Sequence, residues 1–407
     1  MNYTTAFCSS LNTIAESAWS MLTKGQGPFL QYAYLHALER SGCVGCKTTW
    51  QPHHLLIYRD DKLVAAMPGY KKFDSSGEYV FDHGWAHAYE QHGLHYYPKW
   101  LSAVPFTPVT GARLLISPDE DCSLLHSLAV TALRSLQDDG YSSCHVLFQL
   151  PELAEPWCNK GYLQRFSVQF QWYNYGYNTF EDFTNALTSR KRKALRKAQQ
   201  KLASEGVTVT PLTGSLITQE HLSFFITCYQ STYLKRSGHQ GYLNKAFFQQ
   251  IFTDMADNIL LVEAKLRGTA IASALFFFDE NGLYGRYWGA LNPIDGLHFE
   301  CCYHQGIAFA IERNLPLFNP GTQGEHKILR GFEPTYCVSL HHLFDSRFHH
   351  AVEHFLDQET PQVARYFSQA AEVLPFNENV KTTLRTTTNA SLKPVDAITK
   401  KRNDNET

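Results

Sequence analysis

The residues best suited to chemistry lie late in the chain, in Gly324-Glu325-His326-Lys327 and at Arg330. They follow a predicted strand at 317–319 and the turn-forming pair Pro320-Gly321. An imidazole can act as a base that takes the proton of an attacking group, and positive groups can hold a donor substrate or stabilise an oxyanion. We therefore predict that His326 is the base and that Lys327 and Arg330 hold the donor or the oxyanion. The alternative is that all three bind backbone carbonyls in a structural role.

A second candidate is a strongly basic predicted helix. It contains seven Lys or Arg residues and no acid, at Arg190, Lys191, Arg192, Lys193, Arg196, Lys197 and Lys201. These residues fall on every side of the helix, so they cannot all form the polar side of a packed amphipathic helix without leaving uncompensated charge. We expect an anionic partner, which would be tRNA, nucleotide phosphates, a lipid-linked diphosphate or anionic lipid. The alternative is a solvated helix that pairs with acids elsewhere.

Three sequence patterns are similar to those of metal or thiol sites, but a structural role explains each of them better. His350, Glu353 and His354 fit the pattern H-x-x-E-H, yet the expected helix and tail that follow offer no further ligand. Cys43 and Cys46 have zinc-like spacing, and only His53 and His54 could complete that site. Cys301-Cys302 falls in a predicted helix, where packing is the expected role. We predict no metal site.

Composition limits the classes of protein that the chain can belong to. Its 407 residues are 44% hydrophobic, which suits a large core and about two to three domains. With 36 basic and 38 acidic residues, the net charge of -2 makes no global field for nucleic acid or lipid, so an anionic partner needs a local patch. Ten scattered cysteines and a start without secretory features predict a cytoplasmic protein. The longest apolar runs are much shorter than the roughly 20 residues of a membrane span, so we expect no transmembrane segment.

The predicted elements occur in the same order in both halves of the chain. The first half has a helix at 28–40, strands at 54–58 and 63–67, and a further strand at 78–81. The second half has strands at 259–263, 271–278 and 283–289. Leu55 matches Leu260, Trp85 matches Trp288, and the Gly-Leu-His sequence at 93–95 recurs at 296–298. This nearly constant offset, close to half of the chain, predicts a duplicated domain.

Further predicted elements complete the domain assignment. They are a strand at 166–172, two helices within 179–205, a helix at 300–314, a strand at 336–344 and a helix at 348–373. Residues 381–407 are rich in Thr, Asn and Lys and should be disordered. We predict a first domain at 1–165, a second domain at 166–378 that includes the basic helix at 188–205, and a disordered tail at 379–407.

Longer motifs resemble those of one known family. They are GEYVFDH (77–83), YYPK (96–99), AVPFTPV (103–109), SRKRK (189–193), LYGRYWG (283–289), LHFE (297–300), GEHK (324–327) and LRGF (329–332). In this order, over roughly residues 28–345, the chain is similar to the FemAB-like family within the GNAT superfamily of N-acyltransferases.

The resemblance implies a mixed α/β fold of two tandem GNAT-like domains and direct N-acyl transfer to an amine, in a branch connected with peptidoglycan. It implies no bound cofactor and either acyl-CoA or aminoacyl-tRNA as co-substrate. The sequence lacks a clear Arg/Gln-x-x-Gly-x-Gly/Ala loop, whose amides would hold the pyrophosphate of coenzyme A. Expected partners are an acyl donor and an amine acceptor, with tRNA or a lipid-linked precursor at the basic helix. The alternative is a non-catalytic GNAT-like protein that recognises a peptidoglycan precursor or RNA.

The resemblance also adds candidate site residues. Arg286, Tyr287 and Trp288 would lie where GNAT folds separate two strands to admit the donor, although strand aromatics more often belong to a core. Glu300 at a helix start is the competing candidate base, or else it favours the positive helix end. Asp82, His83 and Lys99 are candidates for the acceptor site in the first domain.

Overall fold

A computed structural model describes residues 2–322 and 324–388. Among these, a first compact unit contains residues 2–168 and Tyr336–Phe367, and a second contains residues 169–335 and 368–388. This division differs from the predicted one, because residues 336–367 group with the first unit. Of the predicted tail, residues 385–388 form a short helix, and the stretch from 389 onward lies outside the described residues.

The strands of the described residues are numbered in chain order. They are β1 (Tyr3–Cys8), β2 (Trp50–Pro52), β3 (His54–Arg59), β4 (Lys62–Met67), β5 (Tyr70–Lys72), β6 (Lys99–Ser102), β7 (Leu115–Ile116), β8 (Ser143–Gln149), β9 (Leu163–Tyr173), β10 (Val207–Thr213), β11 (Ile259–Leu266), β12 (Thr269–Asp279), β13 (Gly282–Ala290), β14 (Leu317–Asn319) and β15 (Glu333–Leu343).

The α-helices are numbered in the same way. They are α1 (Glu16–Leu22), α2 (Tyr32–Arg40), α3 (His83–Gln91), α4 (Cys122–Arg134), α5 (Glu155–Cys158), α6 (Phe180–Ala186), α7 (Ser189–Ser204), α8 (Gln219–Ser237), α9 (Lys245–Asp254), α10 (Leu297–Phe299), α11 (Gln305–Glu312), α12 (Ser346–Glu372), α13 (Glu378–Lys381) and α14 (Arg385–Thr388). A π-helix, Glu300–His304, joins α10 to α11, and a 3-10 helix, Glu325–Arg330, precedes β15.

The first unit is built on a long, bent hairpin. β3 pairs with β4 in one sheet, and the preceding β2 pairs with β5 in another. The turn between β3 and β4 has positive φ at Asp60 and Asp61, a conformation in which Asp is one of the more tolerant residues. β5 continues antiparallel to β6, and β6 runs parallel to β8. Leu55, Val64 and Trp100 from these strands pack with Leu125 and Leu133 of α4 in the core of the unit.

The second unit has a simpler sheet. β10, β11, β12 and β13 follow one another as antiparallel neighbours, and β13 then runs parallel to β14. β11 and β12 are buried along most of their lengths. The turn between them has positive φ at Arg267 and Gly268, and it lies between the predicted strands at 259–263 and 271–278.

Both units therefore share one pattern, which is an antiparallel hairpin, a third strand, and a helical crossover to a parallel fourth strand. This confirms the predicted duplication, but the residue matches fail after the hairpin. Residues 73–98, which include α3, stand between β5 and β6, whereas only Glu280-Asn281 join β12 to β13. Trp85 is consequently helical and Trp288 lies in a strand.

The predicted strand at 78–81 is wrong. These residues form a loop before α3, in which Tyr79 has a φ of 62°, in the left-handed region rather than the β region of a regular strand. The predicted strands at 54–58, 63–67, 166–172 and 336–344 and the helices within 179–205 are confirmed, and the helix at 300–314 begins with the π-helix. No helix of the described residues is long and apolar enough to cross a membrane.

Gly289 offers a test of the packing in the second unit. A Cβ atom there would lie 2.0 Å from the carbonyl oxygen of Cys228 on α8, so Gly289→Ala must push α8 away from β13. We expect a loss of about 1–3 kcal/mol in the free energy of unfolding, measured by urea denaturation. Gly84→Ala on α3 is the control, because its Cβ would meet open space and should be neutral or slightly stabilising. Equal stability of the two variants would contradict the close contact between Gly289 of β13 and Cys228 of α8.

Candidate functional site

The second unit contains a point where two parallel strands separate. β13 and β14 pair at Leu283 with Phe318 and at Tyr284 with Asn319. β14 ends at Asn319, whereas β13 continues to Ala290. Arg286 lies just beyond the last pair, and its guanidinium donates to the Gly285 carbonyl at 2.8 Å and to Asn319 Oδ1 at 3.1 Å. Arg286 thus lies where the two parallel strands separate, and its role in binding a donor stays a prediction.

His326 lies on the 3-10 helix and remains exposed. Its Nε2 is 2.8 Å from the hydroxyl of Tyr303 in the π-helix. Partial burial and the charges of Arg330 and Lys327 lower the pKa of His326 below its usual value. The imidazole is therefore mainly neutral near pH 7, and it is accessible to a substrate.

Lys327 points the other way and is buried. Its ammonium donates to the Gly321 carbonyl at 2.6 Å, the one hydrogen bond of this group within residues 2–322 and 324–388. Burial and the neighbouring charge of Arg286 lower the pKa of Lys327 to about 7. A small change of environment can thus switch this group between its charged and neutral forms.

Arg330 completes what we call the cation cluster, Arg286, Lys327 and Arg330. Its guanidinium donates to the His326 carbonyl at 2.6 Å and stacks 3.3 Å above the ring of Phe299. Stacking on an aromatic face holds a cation in place and leaves its edge available to an anion.

Glu300 is less accessible than His326. It is buried, and its two oxygens accept hydrogen bonds from His304 at 2.8 Å, from Gln305 at 2.8 Å and from Gln199 of α7 at 3.1 Å. Burial alone would raise the pKa of Glu300, but these hydrogen bonds outweigh it and the pKa lies below its usual value. Such a carboxylate orients its neighbours better than it accepts a proton.

Tyr287 and Trp288 lie in different environments. Tyr287 is buried against Tyr229, 5.3 Å between ring centroids, and so belongs to the core. Trp288 is partly exposed, and its ring lies 5.5 Å from that of His298. The structure thus brings Trp288, but not Tyr287, to the side of the π-helix that carries Tyr303.

The basic helix is α7, and two of its charges are neutralised. Arg196 pairs with Glu181 and Lys201 with Asp295, both at 3.0 Å. Arg192 donates to the side chain of Asn185 at 3.2 Å. Arg190, Lys193 and Lys197 are exposed, lie at helical spacing on one side, and have no ion pair within the described part of the chain. We call these three residues the basic stripe.

Lys191 connects this helix with the cation cluster. Partial burial, together with the charges of Arg190 and Arg330, lowers the pKa of Lys191. The basic helix and the cation cluster therefore belong to one positive region of the second unit.

In the first unit, the structure brings Asp82 and Lys99 together. The buried ammonium of Lys99 donates to Ser75 Oγ at 2.9 Å, to Glu78 Oε2 at 2.8 Å and to Asp82 Oδ2. All three of its N–H groups are thus used within the protein. Glu78 Oε1 and Asp82 Oδ1 are buried and have no hydrogen-bond partner among the described residues. His83 is exposed and does not join this group.

The parallel strands β6 and β8 of the first unit also separate, but the gap is filled. The buried Arg113 donates to the Leu147 carbonyl at 2.8 Å and to the Val109 carbonyl at 2.5 Å. Its backbone N–H donates to Gln149 Oε1 at 3.0 Å. This cation therefore satisfies carbonyls at the place where the second unit keeps its cation cluster.

Comparison with known proteins gives the family. A model of the FemAB-like family, described by peptidoglycan biosynthesis and recognition, matches residues 10–378. The chain belongs to the FemAB-like family. The FemAB-like chain is similar to the solved structure of FemX, with a TM-score of 0.53 and 11% identity over 87% of this chain and 100% of that one.

Two further solved structures are similar to this FemAB-like chain. L-PGS from Bacillus licheniformis has a TM-score of 0.49 and 12% identity over 81% of this chain and 92% of its own. A tandem GNAT protein from the clavulanic acid biosynthesis pathway has a TM-score of 0.44 and 10% identity over 84% and 98%. No curated protein matches the sequence. The similarity to FemX agrees with the expected mixed α/β fold of two repeated domains, and at 11% identity it says nothing about the reaction.

Sequence reasoning missed two residues of the candidate site. Tyr303 holds His326, and His298 lies between Trp288 and His326, with ring centroids 5.5 and 5.9 Å away. Burial and the nearby charge of His326 lower the pKa of His298 to about 4. Phe299 and Tyr303 are four residues apart, which would place them on one helical face, but no pattern indicates that this face meets residues 326–330.

The described residues contain no group of three or more His, Cys, Asp or Glu side chains placed to hold a metal ion. His350, Glu353 and His354 lie on α12, and His350 and His354 are exposed there.

Glu78 makes the stability of the FemAB-like protein depend on pH. Burial raises the pKa of Glu78 from 4.5 to about 7, against the attraction of Lys99. The folded state thus holds this proton more tightly than the unfolded state, so the stabilisation is complete below about pH 4.5 and is lost as the pH rises through about 7. Groups with lowered pKa values, such as His298, contribute the opposite dependence in the wild type and in Glu78→Gln alike, so the prediction concerns the difference between the two proteins. We expect the free energy of unfolding of the wild type, measured relative to that of Glu78→Gln by urea titrations, to fall between about pH 5 and pH 8.

The exposed Glu90 provides the control for that measurement. Glu90→Gln should follow the wild-type pH dependence. If the free energy of unfolding varies with pH in the same way for Glu78→Gln and for the wild type, the raised pKa of Glu78 is refuted.

Proposed function

We propose that the chain transfers an activated acyl group to an amine by direct attack, at a site in the second unit. His326 takes the proton of the attacking amine, and the cation cluster holds anionic groups of the donor or the developing oxyanion. The observation that carries this proposal is a neutral, accessible imidazole bonded to Tyr303 beside three cations, where β13 and β14 separate.

The geometry favours His326 over Glu300 as the base. His326 is exposed and has a single side-chain hydrogen bond, to Tyr303, within the described residues. Glu300 is buried and receives hydrogen bonds from His304, Gln305 and Gln199. Its low pKa also makes it a weak acceptor for a proton. In this proposal Glu300 positions the π-helix that carries Tyr303.

Charge favours aminoacyl-tRNA over acyl-CoA as the donor. In the crossover after β13, the position before the N-terminus of α10 carries Asp295, whose carboxylate binds Lys201. A pyrophosphate at this helix end would compete with the Asp295 carboxylate for Lys201 and for the positive helix end. The basic stripe, in contrast, leaves three exposed cations for a phosphate backbone. The acceptor that fits the family is an amine of a peptidoglycan precursor.

Transfer can be tested directly with purified protein. We expect labelled amino acids to pass from charged tRNA to an amine of a peptidoglycan precursor, and no transfer from acetyl-CoA. Binding of tRNA without any transfer would favour the alternative, a protein that recognises RNA or the precursor without chemistry. Transfer from acetyl-CoA alone would retain the enzyme class and overturn the choice of donor.

The pH dependence of transfer follows from His326 and Lys327. We expect kcat/KM to rise as His326 loses its proton, below pH 6.5, and to fall as Lys327 loses its proton near pH 7. His326→Gln should lower kcat by about 100-fold or more. Lys327→Arg should move the alkaline limb upward, because a guanidinium stays protonated. His350→Gln on α12 is the control and should leave the profile unchanged; loss of activity there, or full activity in His326→Gln, would contradict the assignment.

The basic stripe predicts a specific salt dependence of tRNA binding. Replacing Arg190, Lys193 and Lys197 together by Gln should weaken binding and reduce the slope of log K against log salt by roughly 2–3. Fluorescence anisotropy with labelled tRNA at several salt concentrations measures this slope. The matched control replaces Arg196 and Lys201, which are already neutralised by Glu181 and Asp295, and should change the slope much less. Equal effects of the two sets would reject the stripe as the binding surface.

A further inference from the structure

The first unit contains a cavity of about 490 Å³ between α3 and the first half of α12. Its wall is mainly apolar, with Trp85 from α3 and Phe348, Val352 and Phe355 from α12. A volume of this size is typical of sites for small organic molecules. The exposed ring of Phe81 also lines it.

The cavity depends on a segment that the second unit lacks. Trp85 and the rest of α3 belong to residues 73–98, which stand between β5 and β6, whereas the equivalent connection in the second unit is Glu280-Asn281. The cavity is therefore an addition to the repeated fold, and its lining does not follow from the GNAT-like architecture.

One acidic side chain lines this apolar space. Asp82 forms part of the wall, and its Oδ2 accepts hydrogen bonds from Lys99 and, at 2.7 Å, from Tyr96. Its Oδ1 is buried and has no hydrogen-bond partner within the described residues. Burial would raise the pKa of Asp82, but the charge of Lys99 outweighs this and keeps the carboxyl ionised. A buried, ionised oxygen without a donor is costly, and a ligand N–H group would remove that cost.

The charge balance around Asp82 favours a cation. Lys99 faces two carboxylates, Glu78 and Asp82, and Lys72 lies 2.9 Å from Asp74 and 3.8 Å from Glu78, so two ammonium groups meet three carboxylates. Above about pH 7, where Glu78 has lost its proton, this group carries a net negative charge. A positively charged ligand group would therefore be electrostatically stabilised at this wall.

The arginines of the wall are already neutralised. Arg165 binds Glu359 through Nε at 2.9 Å and through a terminal nitrogen at 2.7 Å, and its other terminal nitrogen donates to the Phe81 carbonyl. Arg347 pairs with Asp345 at 2.6 Å. An anionic ligand would have to displace these carboxylates, so the wall does not favour an anion.

We propose that this cavity binds a primary amine with an apolar body. The body packs against Trp85, Phe348 and Val352, and the ammonium group donates to Asp82 Oδ1. Aromatic faces of the wall add cation–π attraction for the same charge.

An amine is also the class of acceptor that the proposed transfer reaction requires, but this site does not depend on that reaction. Binding can be measured without a donor and without any catalytic residue of the second unit. Failure of amine binding therefore leaves the transfer proposal intact, and absence of transfer leaves the amine site intact.

Isothermal titration calorimetry of the full chain with hexylamine, octylamine, octanol and octanoate tests the proposal. We expect octylamine to bind more tightly than hexylamine, by roughly fourfold for each added methylene. Octanol, which lacks the charge, should bind roughly 10-fold or more weakly than octylamine, and octanoate more weakly still. Octanoate binding as tightly as octylamine, or no binding of either amine, would overturn the proposal.

Two variants locate the binding. Ala351→Phe fills the cavity from an exposed wall position on α12 and should weaken octylamine binding at least about 10-fold. Gln358→Phe, an exposed position on α12 outside the wall, should bind octylamine like the wild type. Unchanged binding in Ala351→Phe would place the amine elsewhere and refute the site.

Asp82→Asn tests the carboxylate. It should abolish the preference for octylamine over octanol while the dependence on chain length remains. A retained preference in folded Asp82→Asn protein would also refute the site. If this variant does not fold by circular dichroism, the decision rests on Ala351→Phe and its control.

Discussion

Two parallel strands that separate within an antiparallel sheet leave backbone carbonyls without strand partners, and this constraint governs both units. Buried carbonyls must find donors. In the first unit, Arg113 fills the gap and donates to the Leu147 and Val109 carbonyls. In the second unit, Arg286 donates to the Gly285 carbonyl and Lys327 to the Gly321 carbonyl. The same physical need is met by cations in both units, and in the second unit the accessible imidazole of His326 lies on the same 3-10 helix as Lys327.

This difference indicates that the two copies of the fold have different functions. A buried guanidinium that is saturated by carbonyls has little capacity left for a ligand, whereas Lys327, with one hydrogen bond and a pKa of about 7, can respond to a bound anion. In the first unit, residues 73–98 instead contribute to a buried group of charges around Lys99 and to the wall of the neighbouring cavity. Each unit thus has its own local chemistry on the same strand order.

Burial explains why several candidate residues differ in their availability. Lys99, Glu300 and Tyr287 are all buried, and the first two are surrounded by hydrogen-bond partners. His326, Arg190, Lys193 and Lys197 are exposed. Charges that remain exposed without partners are the ones through which a protein binds an anionic substrate, while saturated buried charges fix the positions of loops.

Local periodicity, turn residues and long motifs were enough to predict β3, β4, β9 and β11 to β15, the basic helix, the duplication and the family. The spacing of His326, Lys327 and Arg330 also made them candidates. Tertiary contacts alone establish that Tyr303 meets His326, that Lys99 is saturated, that Tyr287 is a core residue, and that α3 and α12 enclose a cavity. These depend on contacts between residues far apart in the chain, and on a positive φ at Tyr79 that turns a predicted strand into a loop. Local patterns carry no information about such contacts, because packing selects them after the elements have formed.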